Sequence, residues 1–199
     1  DWSSDVCSSD LLFEVEYPAK GNPELAKETA ELLAPTSVIE ADSWGLDHGA
    51  WSVIKHLYPA ANIPVIQMSI DYTQPAQYHF DLAKKLQKLR EKGILIIGSG
   101  NIVHNLRMID WKNINTVGAG WDWAIEARAK TNEWILDGNF QNLIHFEKQG
   151  TALQNAIPTP DHYLPLIYTL GLKEKSDNIS LFNDELIGGS LSMTSVYIE

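Results

Sequence analysis

Six histidines, at positions 48, 56, 79, 104, 145 and 162, are the residues of this chain best suited to chemistry. Imidazole changes charge nearest neutral pH and is the side chain most often used to hold a divalent transition metal. Three of them stand in unusual surroundings. His48 lies in Trp44-Gly45-Leu46-Asp47-His48-Gly49-Ala50-Trp51, between glycines and tryptophans. His104 follows a glycine-rich turn in the run GSGNIVHNLR. His162 stands at a helix start in Pro158-Thr159-Pro160-Asp161-His162-Tyr163-Leu164-Pro165. Each also suits a plain role, as a turn residue or as a solvated or capping residue of a first helical turn. His56, His79 and His145 sit in helical stretches beside Lys, Phe and Glu, and are expected to be surface or half-buried residues.

The common short motifs are absent: there is no Walker A, GxGxxG, HExxH, CxxC or GxSxG. Ser99 lies between Gly98 and Gly100, a closer glycine spacing than a nucleophile elbow uses. Cys7 is the single cysteine, which excludes an internal disulfide framework and a thiolate-rich zinc site. The 15 Lys and Arg stand against 26 Asp and Glu, a net charge of −11. Phosphate contacts need a basic surface, so nucleic acid is not an expected partner. No apolar run approaches the roughly 18 to 20 residues of a membrane span. The start of the chain shows neither the basic nor the apolar region of a secretory signal. A cytoplasmic protein without membrane contact, monomeric or a small homo-oligomer, is the expectation. With 44 % hydrophobic residues the chain can bury a core.

The elements that must position these residues follow from pattern. Residues 1–11 are Ser- and Asp-rich without periodicity, and are expected to be a non-native or disordered tail. Asn22-Pro23 is a helix start, leading to an apolar face that ends before Pro35. Residues 37–39 form a strand candidate. Residues 63–70 are a β-rich apolar run, residues 73–92 the clearest helix with Gly93 as its stop, and residues 94–97 a run of four aliphatics. Strand, helix and strand in close succession predict a βαβ unit with parallel strands. Active sites of open α/β sheets lie beyond the carboxyl ends of such strands, where Gly98 to Asn101 stand. Helices are expected at 118–137, at 139–146 and after Thr159, and strands at 178–182 and 191–198. The fold class is therefore α/β, one domain with a central, mostly parallel sheet flanked by helices.

The blocks WGLDHGAW, IPVIQMSID, GSGNIVHNLR, PTPDHYLPL and GGSLSMTSVYI, in this order, resemble the class III extradiol ring-cleavage dioxygenases, the LigB-like family, and within it the 4,5-DOPA dioxygenase branch. YPAKGNPELA at residues 17–26 fits the same branch. The resemblance implies a non-haem metal enzyme using Fe(II), with Zn(II) able to occupy the site, that opens a catechol ring with O₂. It implies His162 as a metal ligand and His104 as a metal ligand or catalytic acid/base. It implies His48 as a catalytic and substrate-facing residue that holds a hydroxyl or ring oxygen. Arg107 is a candidate cation for an acidic substrate side chain, and a surface ion pair is its plainer reading. Asp161 either points to the metal or caps its helix.

The family also places two ligand histidines in HGSP-like and SAHW-like blocks, and neither block is present. The resemblance thus predicts that residues 12–199 are an extradiol dioxygenase domain lacking its N-terminal part and first strands, and that the chain as written is an inactive fragment. A non-catalytic binding or scaffold protein on the same fold is the alternative, and a metal-dependent hydrolase a more distant one.

Overall fold

The computed structural model describes residues 14–199; residues 1–11, with Cys7, lie outside them. The chain divides into two compact units, Asp1–Ser69 and Ile70–Glu199.

In the first unit, helix α1 (Pro23–Leu33) starts as its sequence dictates. Asn22 accepts the amide of Leu25 at 3.0 Å, and Pro23 fills the first helical position, where no hydrogen-bond donor is needed. Helix α2 (His48–Leu57) is capped by Asp47, whose carboxylate accepts from the Ala50 amide at 2.8 Å. The cap is itself held: Gln67 accepts from the Asp47 amide at 3.0 Å and donates to its other carboxylate oxygen at 2.8 Å. The expected strand at 37–39 does not form, and Ile39 is 88 % exposed.

The second unit holds helices α3 (Ala76–Lys84), α4 (Gln87–Glu91), α5 (Asp122–Leu136), α6 (Phe140–Ile144), α7 (Thr151–Ala156) and α8 (Leu164–Gly171). The single helix expected over 73–92 is two. Between them the hydrogen bonds tighten to Lys85–Leu82 and Leu86–Ala83, three residues apart, and Leu86 and Leu89 are buried. Gly93 at φ +75° ends the second, as its position predicts. The core gathers Ala127 and Ile135 of α5, Leu143 of α6, Leu153 of α7, and Leu164 and Ile167 of α8, all fully buried.

Helix α3 packs on α8, and there the expectation for His79 fails. Its side chain is wholly buried, with Nδ1 3.1 Å from the Tyr168 hydroxyl and its ring edge-on to Tyr78. Neighbouring Phe80 marks a core face rather than a surface one. Burial pushes the His79 pKa down.

The central parallel sheet is not found among the described residues. Their sheets are two antiparallel pairs: β1 (Ile179–Phe182) with β4 (Ser195–Ile198), and β2 (Leu186–Ile187) with β3 (Leu191–Ser192). The apolar runs at 63–70 and 94–97 carry strand propensity but make no ladder. A strand is stabilised only by a paired neighbour, so propensity alone leaves such a run unpaired. Gly188 and Gly189, at φ +56° and +76°, turn the chain between β2 and β3. Among the described residues no helix is long and apolar enough to cross a membrane.

Gly171 tests the contact of α3 with α8. A Cβ there would lie 2.6 Å from the Phe80 carbonyl oxygen and 2.8 Å from the Ala83 Cβ. Gly171→Ala is expected to cost about 1–3 kcal/mol of unfolding free energy through overpacking. An unchanged urea midpoint would show that the two helices do not approach this closely.

Candidate functional site, a stacked pair of imidazoles

The segment 98–105 follows the aliphatic run 94–97 and passes along the start of α8. A Cβ at Gly98 would stand 2.5 Å from the Pro165 carbonyl oxygen, and one at Gly100 would collide with the His162 carbonyl oxygen. The segment fits there because both residues lack a side chain. The Asn101 amide then donates to the His162 carbonyl at 2.9 Å, and its side-chain amide donates to the Ser192 carbonyl at 2.8 Å.

Beyond Asn101 the chain is held on two sides. Ser192 donates its amide to the Val103 carbonyl at 3.0 Å, and His104 bridges antiparallel to Leu191. The His104 amide donates to the Ala156 carbonyl at 2.9 Å, at the end of α7. Asn105 donates its amide to the Ser190 carbonyl at 3.1 Å, accepts the Ser190 hydroxyl on its own carbonyl at 2.8 Å, and donates its side-chain amide to the Asn155 carbonyl at 2.8 Å. Asn105, Ser190 and Ser192 are buried, and the hydrogen bonds they make repay their desolvation.

The outcome is that His104 and His162, far apart in sequence, lie face to face with ring centroids 3.8 Å apart and planes 10° apart. Asp161 places a carboxylate oxygen 2.5 Å from His162 Nδ1. Asp161 is not a helix cap: α8 begins at Leu164, after Tyr163, with no side-chain cap. Burial opposes ionisation of Asp161, but the Thr159 hydroxyl and the nearby His162 hold its carboxyl below the usual range. Burial, with the adjacent His162 as second cause, pushes the His104 pKa down to about 4. His104 is therefore neutral at pH 7, with a lone pair available to a metal or a proton.

Arg107 stands on the short 3₁₀ turn Leu106–Met108, which Asn105 starts by accepting the Arg107 amide at 3.2 Å. Its side chain is exposed, and among the described residues no carboxylate lies within ion-pair distance of it, so the plain reading as a surface ion pair is not met. His48 is the first residue of α2, exposed, in the first unit. His56 and His145 are exposed, as their neighbours predict.

The donors suit a borderline divalent metal in type and protonation: two imidazoles, one of them held neutral, with a carboxylate beside the second. Their number is short. Among the described residues no group of three or more His, Cys, Asp or Glu side chains is placed to hold a metal.

Sequence reading missed the residues that hold the pair, Asn101, Asn105, Ser190 and Ser192. Their signal was present: two asparagines flanking a histidine block, and two serines at the period of a strand in Ser190-Leu191-Ser192.

Comparisons with known proteins agree with the sequence blocks. Residues 3–192 match the family described as the catalytic LigB subunit of aromatic ring-opening dioxygenase. The 4,5-DOPA dioxygenase extradiol of Escherichia coli (strain K12) is 40 % identical over 190 residues, which cover 94 % of this chain and 69 % of the relative. The 4,5-DOPA dioxygenase extradiol of Mirabilis jalapa is 33 % identical over 176 residues, covering 87 % of this chain and 64 % of the relative. The crystal structure of an uncharacterized protein from Escherichia coli K12 superposes with a TM-score of 0.80 at 38 % identity, over 93 % of this chain and 76 % of that one. The chain thus spans about two thirds of the length of the two curated relatives.

The burial of His104 has a measurable consequence. Its folded pKa of about 4 lies below the ordinary 6.5, so the unfolded chain binds the proton more readily between the two values. Stability from this group is complete above pH 6.5 and is lost as pH falls toward 4. Buried His79, shifted in the same direction, adds to the loss. NMR titration of the His104 ring is expected to give a midpoint near 4, and the melting temperature of His104→Gln should fall less steeply over that range. A midpoint near 6.5 would refute the half-buried, imidazole-stacked placement.

Proposed function

This chain belongs to the LigB family of aromatic ring-opening dioxygenases, and from that premise we propose that its site serves extradiol cleavage of a catechol such as DOPA, with O₂ as co-substrate and a non-haem metal as cofactor. The observation that carries the proposal is the stacked pair of His104 and His162, with His104 kept neutral by burial. His162 and His104 are the proposed metal ligands; imidazole lone pairs lie in the ring planes, so the stacked rings must turn toward each other for both to face one metal. Ferrous iron is the proposed working metal, and zinc suits the same nitrogen donors. When bound, iron brings catechol and dioxygen together and passes electrons between them.

The chain's own residues divide the remaining work. The Asp161 carboxylate beside Nδ1 of His162 favours the proton on that nitrogen, which leaves Nε2 as the electron-pair donor. His104, neutral and with a free lone pair, can serve as a metal ligand or as the catalytic acid/base. Arg107, exposed and without a carboxylate partner among the described residues, is the proposed anchor for an acidic substrate side chain. His48, exposed at a capped helix start, is the proposed substrate-facing and catalytic imidazole.

Two imidazoles are fewer than the three protein ligands that hold reactive ferrous iron in the 2-His-1-carboxylate arrangement. The 199-residue chain, loaded with Fe(II) under anaerobic conditions, is therefore expected to give no yellow ring-opened product from DOPA. A chimera that adds the residues of the E. coli relative lying outside the aligned region should give product and oxygen uptake. In that chimera His104→Ala or His162→Ala should lower turnover by at least about a hundredfold. Arg107→Ala should raise KM for DOPA more than for unsubstituted catechol, and His48→Ala should slow turnover. An inactive chimera that still folds would overturn the proposal in favour of a non-catalytic binding protein.

A further inference from the structure

The face-to-face contact of the two imidazoles needs a cause. Neutral imidazoles gain little by stacking, and two protonated ones would repel. The rings must be brought together by the chain that carries them. The carriers meet at one place. Gly100 has no side chain, and a Cβ there would collide with the His162 carbonyl oxygen, a backbone atom that cannot swing aside. The next residue, Asn101, donates its amide to that same oxygen at 2.9 Å. Its side-chain amide ties the segment to the Ser192 carbonyl at 2.8 Å, and Ser192 pairs with Val103, next to His104. The contact fixes where His162 lies and the register in which His104 arrives. The run Gly98-Ser99-Gly100-Asn101 thus has a structural use, in place of the nucleophile elbow that its glycine spacing rules out.

We infer that Gly100 and Asn101 are positioning residues: they act through the His162 carbonyl and the Ser192 strand to hold the imidazoles of His104 and His162 in register as a pair. The consequence for metal binding rests on the function proposed above, whereas the stacking itself does not.

The test uses the 199-residue chain and two readouts. The first is the position of the His162 ring-proton signals in proton–carbon NMR spectra. A ring 3.8 Å above them displaces these signals upfield, and His104→Ala in the same spectra calibrates the displacement. The second is Zn(II) affinity by chelator competition. Gly100→Ala is expected to abolish the displacement and to weaken Zn(II) binding by about tenfold or more. Asn101→Ala, which keeps the backbone bond and loses only the tie to Ser192, should remove part of the displacement. Gly138→Ala is the control: it strains a glycine at φ +70° with nothing within 4 Å of its Cβ, and should leave both readouts unchanged. Retention of displacement and affinity in Gly100→Ala overturns the inference. If Gly100→Ala fails to fold, Asn101→Ala decides, and an unmoved displacement there overturns it. An equal effect from Gly138→Ala overturns it too, because the change is then global. If the unsubstituted chain shows the displacement but binds no Zn(II), the metal reading fails and the positioning inference stands.

Discussion

The carbonyl oxygen of His162 accepts the Asn101 amide at 2.9 Å, and it can do so only because Gly100 has no side chain. That close approach of two backbones is the constraint from which the site follows. It places the start of α8 against the segment that leads to His104, which brings the two imidazoles within reach of each other. The same kind of constraint recurs on the other end of α8. There Gly171 lets the helix sit against the Phe80 carbonyl of α3, which encloses His79 and Tyr168. Close approach at glycine, together with the buried side chains of Tyr163, Leu164 and Leu170, sets both ends of this helix.

Around the histidine pair the binding forces are polar. Asn105, Ser190 and Ser192 are buried, and a buried polar group left without a partner costs about 1–3 kcal/mol, against a net gain near 1 kcal/mol for each bond made. Such a network adds little stability but penalises every other arrangement of the same residues. It selects a geometry. Two arginines tie down the chain on either side of β1: Arg90 holds the segment between α8 and β1, and Arg128 holds Asp184 just before β2. Arg90 donates to the Leu172 carbonyl at 2.7 Å and to Asp177 at 2.6 Å. Arg128 donates to the Asp184 carbonyl at 2.5 Å, and the Thr194 hydroxyl donates to the Asp184 carboxylate at 2.8 Å.

Local signals in the sequence located most helices. Asn22 with Pro23, Gly93 and the aliphatic spacing of α5 and α8 act within a few residues, and local structure followed them. Pairing was not legible in the same way. The apolar run 94–97 has the composition of a buried strand, yet Leu95 is 61 % and Ile97 41 % exposed, and neither belongs to a ladder. Composition states a preference for extended backbone; a ladder also needs a second strand. Short helix α7 was missed because six residues carry too little periodicity to register. His79 was misjudged because its burial depends on the packing of α3 against Tyr168 of α8, far away in the sequence.

The sequence by itself determined which family the chain belongs to, and singled out the candidate histidines, because ordered blocks such as GSGNIVHNLR and PTPDHYLPL depend on residue identity alone. It also set the chemical type of the site, imidazole nitrogen with a carboxylate at hand. Only the tertiary structure decided that His104 and His162 stack, that Asp161 turns to its neighbour rather than to a helix end, that Arg107 stands without a carboxylate among the described residues, and that partial burial keeps His104 neutral. Each of these depends on distances between residues far apart in the chain. Such distances are set by backbone approach and desolvation, and residue order does not encode them locally.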